Sequence, residues 1–553
     1  MPPPGAVEVV KTLTSRGYNA DQEAVVLLAN AEDTDAAIDR AIAAAPEETL
    51  TLTVEHVRTV LDGAASGAPA GSESGSDPPP SAGTGPAGTD GNGSGRAEEA
   101  DPAHGPGPNA DGLDTSDDDS TTPGDESMTS SAAGLDVDMP DDTGDGETEP
   151  SSRSPVRPTI SGDITGRSTG TGTYEEFVSV FRDRYERLSE QLRGRVKPRP
   201  TDAVESMSGG SNAALVGMVN DIRSTASGHW LVELEDTSGV FPTLVLKDRD
   251  IAPLVDELLL DEVIGVQGTL ADDGGVLFVD SLHFPDVPRT YRPSTADRHV
   301  QAALVSDVHV GSDEFMQEAW SSFADWLHTE EAEHVEYLLI AGDMVEGVGV
   351  YPDQDDELEI SDIYSQYERF SELLKEVPGD LEIVMIPGNH DAVRLAEPQP
   401  GFDEEFRELM RAHDAQIVGN PATVTIEGVD ILMYHGVSLD DVVAELPGAS
   451  YEAPAEAMQH LLKKRHLAPT YGGKNRLAPE ERDHLVIDDI PDILHSGHVH
   501  KLGVGEYHGV RVINSGCWQA QTPFQRSVNI DPDPGFAPVV DLDTLNVTPW
   551  RFH

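Results

Sequence analysis

The sequence predicts a multidomain α/β protein, and three observations carry that expectation. From about residue 296 to the end, apolar strand-like runs alternate with helical periodicity: "HVQAALVSDVHVG", "EAWSSFADWLHTEE", "VEYLLIAGD", "IYSQYERFSELLKE" and "LEIVMIPGNHD". Such alternation layers helices on sheets and sets functional side chains at the carboxyl ends of strands. Ahead of it, residues 205–295 hold short runs in which apolar and polar residues alternate, as in half-buried strands of a second, smaller domain. Further upstream, a long stretch nearly free of aromatics divides this part from an N-terminal unit, and 553 residues are in any case too many for one core.

Residues 1–62 read as a small helical domain. "DTDAAIDRAIAAA" opens on Asp or Thr, which cap helix N-termini, and continues in strong helix formers, while the Gly of "RGYN" stops a preceding helix. A partner-docking module and a plain helical appendage both fit it. Residues 63–170 turn to Gly, Ser, Pro, Thr, Asp and Glu, as in "GSESGSDPPPSAGTGPAGTDGNGSG". That composition buries too little apolar surface to offset the entropy of ordering, so a disordered acidic linker is expected. Within 171–200, "YEEFVSVFRDRYERLSEQLRGR" is a helix with Phe177, Phe181, Tyr185 and Leu188 at spacings of three and four, a packing stripe. In 205–295, "AALVGMVNDIRS", "HWLVELEDTSG", "FPTLVLK", "EVIGVQGTL" and "VLFVDSLHF" make five strands, with a helical connection in "DRDIAPLVDELL", which suits an OB-fold barrel. Few aromatic or basic residues accompany them, so a scaffolding barrel is expected rather than one that grips DNA.

With 101 acidic against 36 basic residues, the formal net charge is −65. At ordinary ionic strength such a surface repels nucleic acid. The acids are spread over folded-looking segments and linkers alike and Lys is scarce, which favours adaptation to a cytoplasm of multimolar salt; the charge then speaks of solvent rather than of substrate. A single cysteine, Cys517, excludes an intramolecular disulfide framework. No basic-then-apolar leader and no run of 18 or more apolar residues occurs, so a cytoplasmic protein without a membrane partner is expected.

The chemistry lies in short polar motifs at predicted strand ends. Asp307 and His309 in "SDVHVG", and His498 and His500 in "HSGHVH", sit two residues apart, a spacing that in extended backbone turns both side chains to one face. Asp343 in "LLIAGDM", Asn389 and His390 in "IPGNHD" and His435 in "ILMYHG" each follow an apolar strand, beside a Gly that leaves backbone room. Singly, such residues are more often turn, cap or satisfied interior groups. Jointly they offer carboxylate, carboxamide and imidazole, a mixture that suits Mn²⁺, Fe²⁺ or Zn²⁺ better than Ca²⁺ or Mg²⁺ alone. Two such cations sharing a carboxylate suit in-line displacement at phosphorus, so phosphoester hydrolysis is expected.

The motifs "DVH", "GD", "GNHD", "HG" and "GHVH", in that order across about residues 300–520, resemble the calcineurin-like metallophosphoesterase signature. The resemblance implies a layered β-sandwich flanked by helices over 296–553. It further implies one metal ion on Asp307, His309 and His500, a second on Asn389, His435 and His498, and Asp343 bridging. His390 would be the catalytic residue, protonating the leaving oxygen or steadying the transition-state charge. Longer stretches, among them "GDMVEGVGVYPDQDDELEISDIYSQY", "IPGNHDAVRLAEPQP", "APTYGGKNRLAPEERDHLVIDDIPDILHSGHVH" and "INSGCWQAQTPFQ", resemble the small subunits of the archaeal family D DNA polymerases (DNA polymerase II) over most of residues 175–553. That resemblance implies a 3′ to 5′ proofreading exonuclease dependent on two divalent cations, Mn²⁺ with Mg²⁺, Fe²⁺ or Zn²⁺ as alternatives. Its implied partners are a large catalytic polymerase subunit, single-stranded or mismatched DNA 3′ ends, and the sliding clamp.

Two other enzymes share the motifs. A double-strand-break repair nuclease normally begins with the phosphoesterase domain, which here follows a barrel; a protein phosphatase typically places an arginine just after the aspartate of "GDMVEG". The non-catalytic rival is a structural B-subunit that has lost its ligands, whereas here every ligand position is filled. "KKRH" at 463–466, with Lys474, Arg476 and Lys501, is a basic cluster that reads either as a phosphate guide or as a solvated loop. Trp518 and Phe524 are expected to pack against the large subunit rather than stack on a base, and Cys517 to be a small buried residue.

Overall fold

The computed structural model describes residues 153–552, apart from 169, 352–353, 412–413 and 528, together with the helix Thr34–Ala44 and a few further positions between Val9 and Val57. The chain divides into two compact units, Met1–Gly124 and Asp125–His553. In the first, the helix Thr34–Ala44 buries Ala37, Ile38 and Ala41 against Val9, Ala24, Leu28 and Val57, while Asn19–Ala20 pairs in parallel with Thr51–Leu52.

In the second unit the expected linker end at residue 170 needs correction; the part before residue 153 lies outside the described residues. Thr159–Ser161 is a strand that pairs antiparallel with Ala422–Ile426 and forms the edge of a six-stranded sheet. An edge strand needs only one hydrogen-bonding side and no apolar run, so its composition hid it. The helix Tyr174–Leu192 opens on a capping box, Thr173 and Glu176. Its buried line is Val180, Arg184, Leu188 and Leu192, whereas Phe177 and Phe181 are only half-buried and pack edge-on to Tyr471.

Five strands, Asn212–Ser224, Trp230–Asp236, Gly239–Val245, Leu277–His283 and Val263–Leu270, close into a barrel in that order. The closing contact is parallel, Thr243 opposite Leu277, and the turn Ala252–Glu257 is the helical connection. Two buried ion pairs fix the barrel and the long helix to the rest of the unit. Lys464 Nζ lies 2.8 Å from Glu262 of the barrel, and Arg184 Nε lies 2.7 Å from Asp483, with all four side chains almost wholly buried.

The remainder is two six-stranded sheets packed face to face. The first runs Gln416–Ile417, Glu382–Ile386, Val335–Ala341, Gln301–Val305, Phe536–Asp541, Asn546–Arg551; the second runs Leu502–Tyr507, Val510–Ser515, Ile493–Ser496, Val429–Met433, Ala422–Ile426, Thr159–Ser161. Between them Leu304, Leu339 and Ile386 meet Val424, Met433 and Ile513 in one core. The helices Gln317–Leu327 and Ile363–Leu374 cover the outer face of the first sheet, and Pro454–Lys464 covers the second. Central strands are buried on both faces, which is why "VEYLLIA" reads as continuous rather than alternating hydrophobicity. Among the described residues no helix is long and apolar enough to cross a membrane.

One titratable group in this core sets a pH dependence. His495, on the strand Ile493–Ser496, is fully buried; its Nε2 lies 3.1 Å from Ser515 Oγ, and burial lowers it from 6.5 to about 3. A ring whose folded value lies below its unfolded one binds fewer protons in the native state. Its contribution to stability is therefore level above pH 6.5 and is lost as pH falls from 6.5 toward 3. Denaturant unfolding across that window should show a slope from this ring of about 1.4 kcal/mol per pH unit, absent in His495→Leu.

Candidate metal centre

All of the site residues lie just beyond strand carboxyl ends, on the same rim of the two sheets. Asp307 and His309 follow Gln301–Val305, Asp343 follows Val335–Ala341, Asn389 and His390 follow Glu382–Ile386, His435 follows Val429–Met433, and His498 and His500 follow Ile493–Ser496. The paired motifs do converge, but not through extended backbone. Asp307, His309, His498 and His500 have φ of 52°, 55°, 71° and 55°, and Asp343 has 51°, so left-handed turns aim these side chains. Non-glycine residues enter that region at a cost. Thirteen of them do so among the described residues, and five of those are candidate ligands, which marks the rim as a place where strain is held by its surroundings.

Three overlapping groups of donors result, one of them made by His309, Glu346 and His390. Asp307, His309 and His500 form the first, with Nε2 of His309 and His500 3.0 Å apart and His500 Nε2 3.5 Å from Asp307 Oδ1. Asp343, His435 and His498 form the second, with Asp343 Oδ2 3.1 Å from His435 Nε2 and Asn389 Oδ1 3.0 Å from the same nitrogen. Asp343 Oδ2 also lies 3.9 Å from His309 Nε2, so this carboxylate reaches both of these groups. His390 belongs to the third group, with His309 and Glu346; it is half-buried, its ring lies 4.8 Å from that of His309, and its Nδ1 is 2.8 Å from the Glu346 carbonyl.

The glycines noted beside the motifs are required by space. A Cβ on Gly388 would come within 2.2 Å of Asp343 Oδ1, and one on Gly497 within 2.3 Å of Asp307 Oδ2. Neighbouring loops then lock the carboxylates: the His390 amide donates to Asp343 at 2.8 Å, and the His498 amide to Asp307 at 2.9 Å.

The sequence pattern missed an outer layer. Glu346 accepts from His309 Nδ1 at 2.8 Å, the Ala341 carbonyl accepts from His435 Nδ1 at 2.8 Å, Asp440 lies 3.5 Å from His498 Nε2, and Gln525 Nε2 is 3.0 Å from His500 Nδ1. Asp391 accepts from the Gly388 amide and the Tyr367 hydroxyl and so sets the turn that carries Asn389. Such partners fix ring orientation and leave the opposite nitrogen facing the centre. Glu346 sat in plain view three residues after Asp343, whereas Asp440 and Gln525 carry no local signal.

Among the described residues no Lys or Arg pairs with Asp307, Asp343 or Glu346; their ionic partners are imidazoles. Burial alone would lower those rings, but Glu346, Asp343 and Asp307 push His309 up to about 9, and Asp343 and Asp307 push His435 up to about 10. Burial, reinforced by Asp343, raises Asp307; it acts the same way on Asp343, yet the His435 and His390 rings hold that carboxyl well below its usual range. Buried carboxylates balanced only by imidazoles with converging Nε2 atoms are a donor set that fits divalent cations taking the place of protons.

Other expectations fared differently. The "KKRH" cluster is engaged within the chain rather than forming a solvated loop: Lys463 and Lys464 pair with Glu257 and Glu262, Arg465 bonds the Ile487 carbonyl and His466 meets Asp483 at 2.9 Å. Lys501 pairs with Glu452 at 2.9 Å, while Lys474 and Arg476 are exposed. Cys517 is fully buried; Trp518 is also fully buried, in this chain's own core, and so does not meet a large subunit as expected, whereas Phe524 is 45% exposed, on the wall of the cavity that the centre opens into.

Comparison with known proteins bears on this arrangement. Residues 302–501 match the family model described as the DNA polymerase alpha/epsilon B-subunit. The chain is 61% identical over 554 residues to the DNA polymerase II small subunit of Halobacterium salinarum, covering 100% of both chains. It is 46% identical to that of Archaeoglobus fulgidus over 68% of this chain and 76% of the relative, and 41% identical to that of Methanocaldococcus jannaschii over 69% and 66%.

The outer layer yields a direct test of the centre. Glu346→Ala should weaken divalent-cation binding, read by titration calorimetry, by roughly 10- to 100-fold while the melting curve stays cooperative.

Proposed function

The chain belongs to the family of DNA polymerase II small subunits, and from that premise we propose that its two-sheet domain is a calcineurin-like metallophosphoesterase working as a 3′ to 5′ exonuclease on DNA. As the small subunit of a DNA polymerase, it acts with a catalytic large subunit. The observation that carries the proposal is the gathering of seven side chains from five strand ends into two adjoining donor groups, with Asp343 within reach of both.

Asp307, His309 and His500 would hold one cation, Asn389, His435 and His498 a second, with Asp343 shared; Mn²⁺ is the proposed element, and Mg²⁺, Fe²⁺ or Zn²⁺ would suit the same donors in part. When bound, the cations supply Lewis-acid charge to the phosphoryl oxygens and ease deprotonation of the attacking water. Everything else falls to the chain. His390 lines the cavity and its Nδ1 faces a carbonyl, which can only accept, so Nδ1 carries a hydrogen and Nε2 donates only from the imidazolium. In that form it can protonate the leaving 3′ oxygen or offset charge on the phosphoryl group. Asp440 and Glu346 hold two of the donor rings in place, and the double sheet supplies a rigid floor. Single-stranded or mismatched 3′ ends are the proposed substrates, which makes the reaction proofreading, and the sliding clamp is a further proposed contact.

A scaffolding role accompanies catalysis and has its own support. The barrel is joined through the buried Lys464–Glu262 pair, and removing one partner of such a pair costs more than an exposed contact, which suits a protein that must present a fixed surface. For the chain assembled with its large subunit, His390→Ala should lower Mn²⁺-supported release of nucleotides from a single-stranded 3′ end by about 10²- to 10⁴-fold with bound metal unchanged. Equal rates for the two proteins would leave the scaffold as the whole function.

A further inference from the structure

The acidic surface poses a problem for any DNA-cleaving reading. A net charge of −65 repels a phosphate backbone at ordinary ionic strength, and salt concentrated enough to screen that repulsion screens the grip of basic side chains as well. Affinity for a strand must then come from contacts that do not depend on charge, and stacking of bases on aromatic rings is the principal one.

A row of rings leads outward from the centre. His390 lies 4.8 Å from His309, Tyr351 lies 6.3 Å from His390, and Phe524 stacks on Tyr351 at 5.1 Å with 24° between planes. The row lines one wall of an open cavity, the same cavity that His498 and Asp440 line. Phe524 is tied to the centre from two sides. The Tyr351 hydroxyl donates to Glu346, whose other oxygen holds His309, and the residue next to Phe524, Gln525, bonds His500. Even so, the Phe524 ring is 45% exposed, and Val348 and Val350 on the loop leading to Tyr351 are exposed as well. A large aromatic open to solvent and backed by a second ring offers a face on which a base can stack.

We propose that Phe524, braced by Tyr351, is the platform on which the 3′-terminal base stacks, setting the adjoining phosphodiester over the donor groups. The platform rests on the exonuclease reading, and the preferred substrate is then a strand whose terminal nucleotide is unpaired and so free to lie on the ring. A protein partner covering Phe524 would close the cavity in which the reaction takes place, which is why a base is the occupant argued for.

The test uses oligonucleotides ending in 2-aminopurine, whose fluorescence falls on stacking, with the full chain and its large subunit in molar potassium chloride. Binding with chelator present should quench the wild type, fail to quench Phe524→Ala and be restored in Phe524→Trp. With Mn²⁺, Phe524→Ala should raise KM for a normal 3′ end by about 5- to 100-fold, and an abasic 3′ end should raise it similarly in the wild type, the two losses failing to add. Equal quenching in wild type and Phe524→Ala, or additive losses, would overturn the proposal, as would weaker association of Phe524→Ala with the large subunit while quenching stays intact. Ring-dependent quenching without any hydrolysis by the wild type would uphold the platform and sink the exonuclease reading.

Discussion

Burying carboxylates without basic partners is the constraint on which the rest of this structure depends. Asp307 and Asp343 are fully buried at the rim of the two sheets, and the groups that offset them are imidazoles. An unpaired buried charge costs several kcal/mol, so the site either holds protons on those rings or exchanges them for cations. The left-handed turns, the glycines with no room for a Cβ and the interlocking of each carboxylate with the next loop's amide all follow from crowding that many donors into one place. The fold sustains this by anchoring every motif to a strand whose sides are buried in the double-sheet core.

Much of the fold was legible because its strongest signals are local. The central parallel strands are continuous apolar runs, and the barrel strands alternate, so both are written in short windows of sequence. Thr159–Ser161 was not legible, since three residues at a sheet edge leave no periodicity and their neighbours have the composition of a linker. The long helix was legible as a helix but not in its facing: Arg184, outside the apolar stripe, turns inward to Asp483, while Phe177 and Phe181 lean outward.

The site was legible in its residues and not in its mechanics. Each motif stood next to a strand end and a glycine, so Asp307, His309, Asp343, Asn389, His435, His498 and His500 could be picked out one by one. The convergence of the pairs Asp307/His309 and His498/His500 was inferred from strand alternation, and the structure produces it by left-handed backbone instead. The outer partners Asp440 and Gln525 lie far along the chain from the rings they meet, and only tertiary structure brings them there. Charge was the least transferable signal: "KKRH" reads as a phosphate guide or a solvated loop, and its charges are consumed by Glu257, Glu262 and Asp483.

That these donors hold a pair of divalent cations is tested most directly by anomalous scattering from crystals of the chain with its large subunit, grown with Mn²⁺ and measured on either side of the manganese edge. Two peaks are predicted, one among Asp307, His309 and His500 and one among Asn389, His435 and His498, with Asp343 beside both. Crystals that bind manganese elsewhere, or show protonated rings and no peak at these positions, would contradict it.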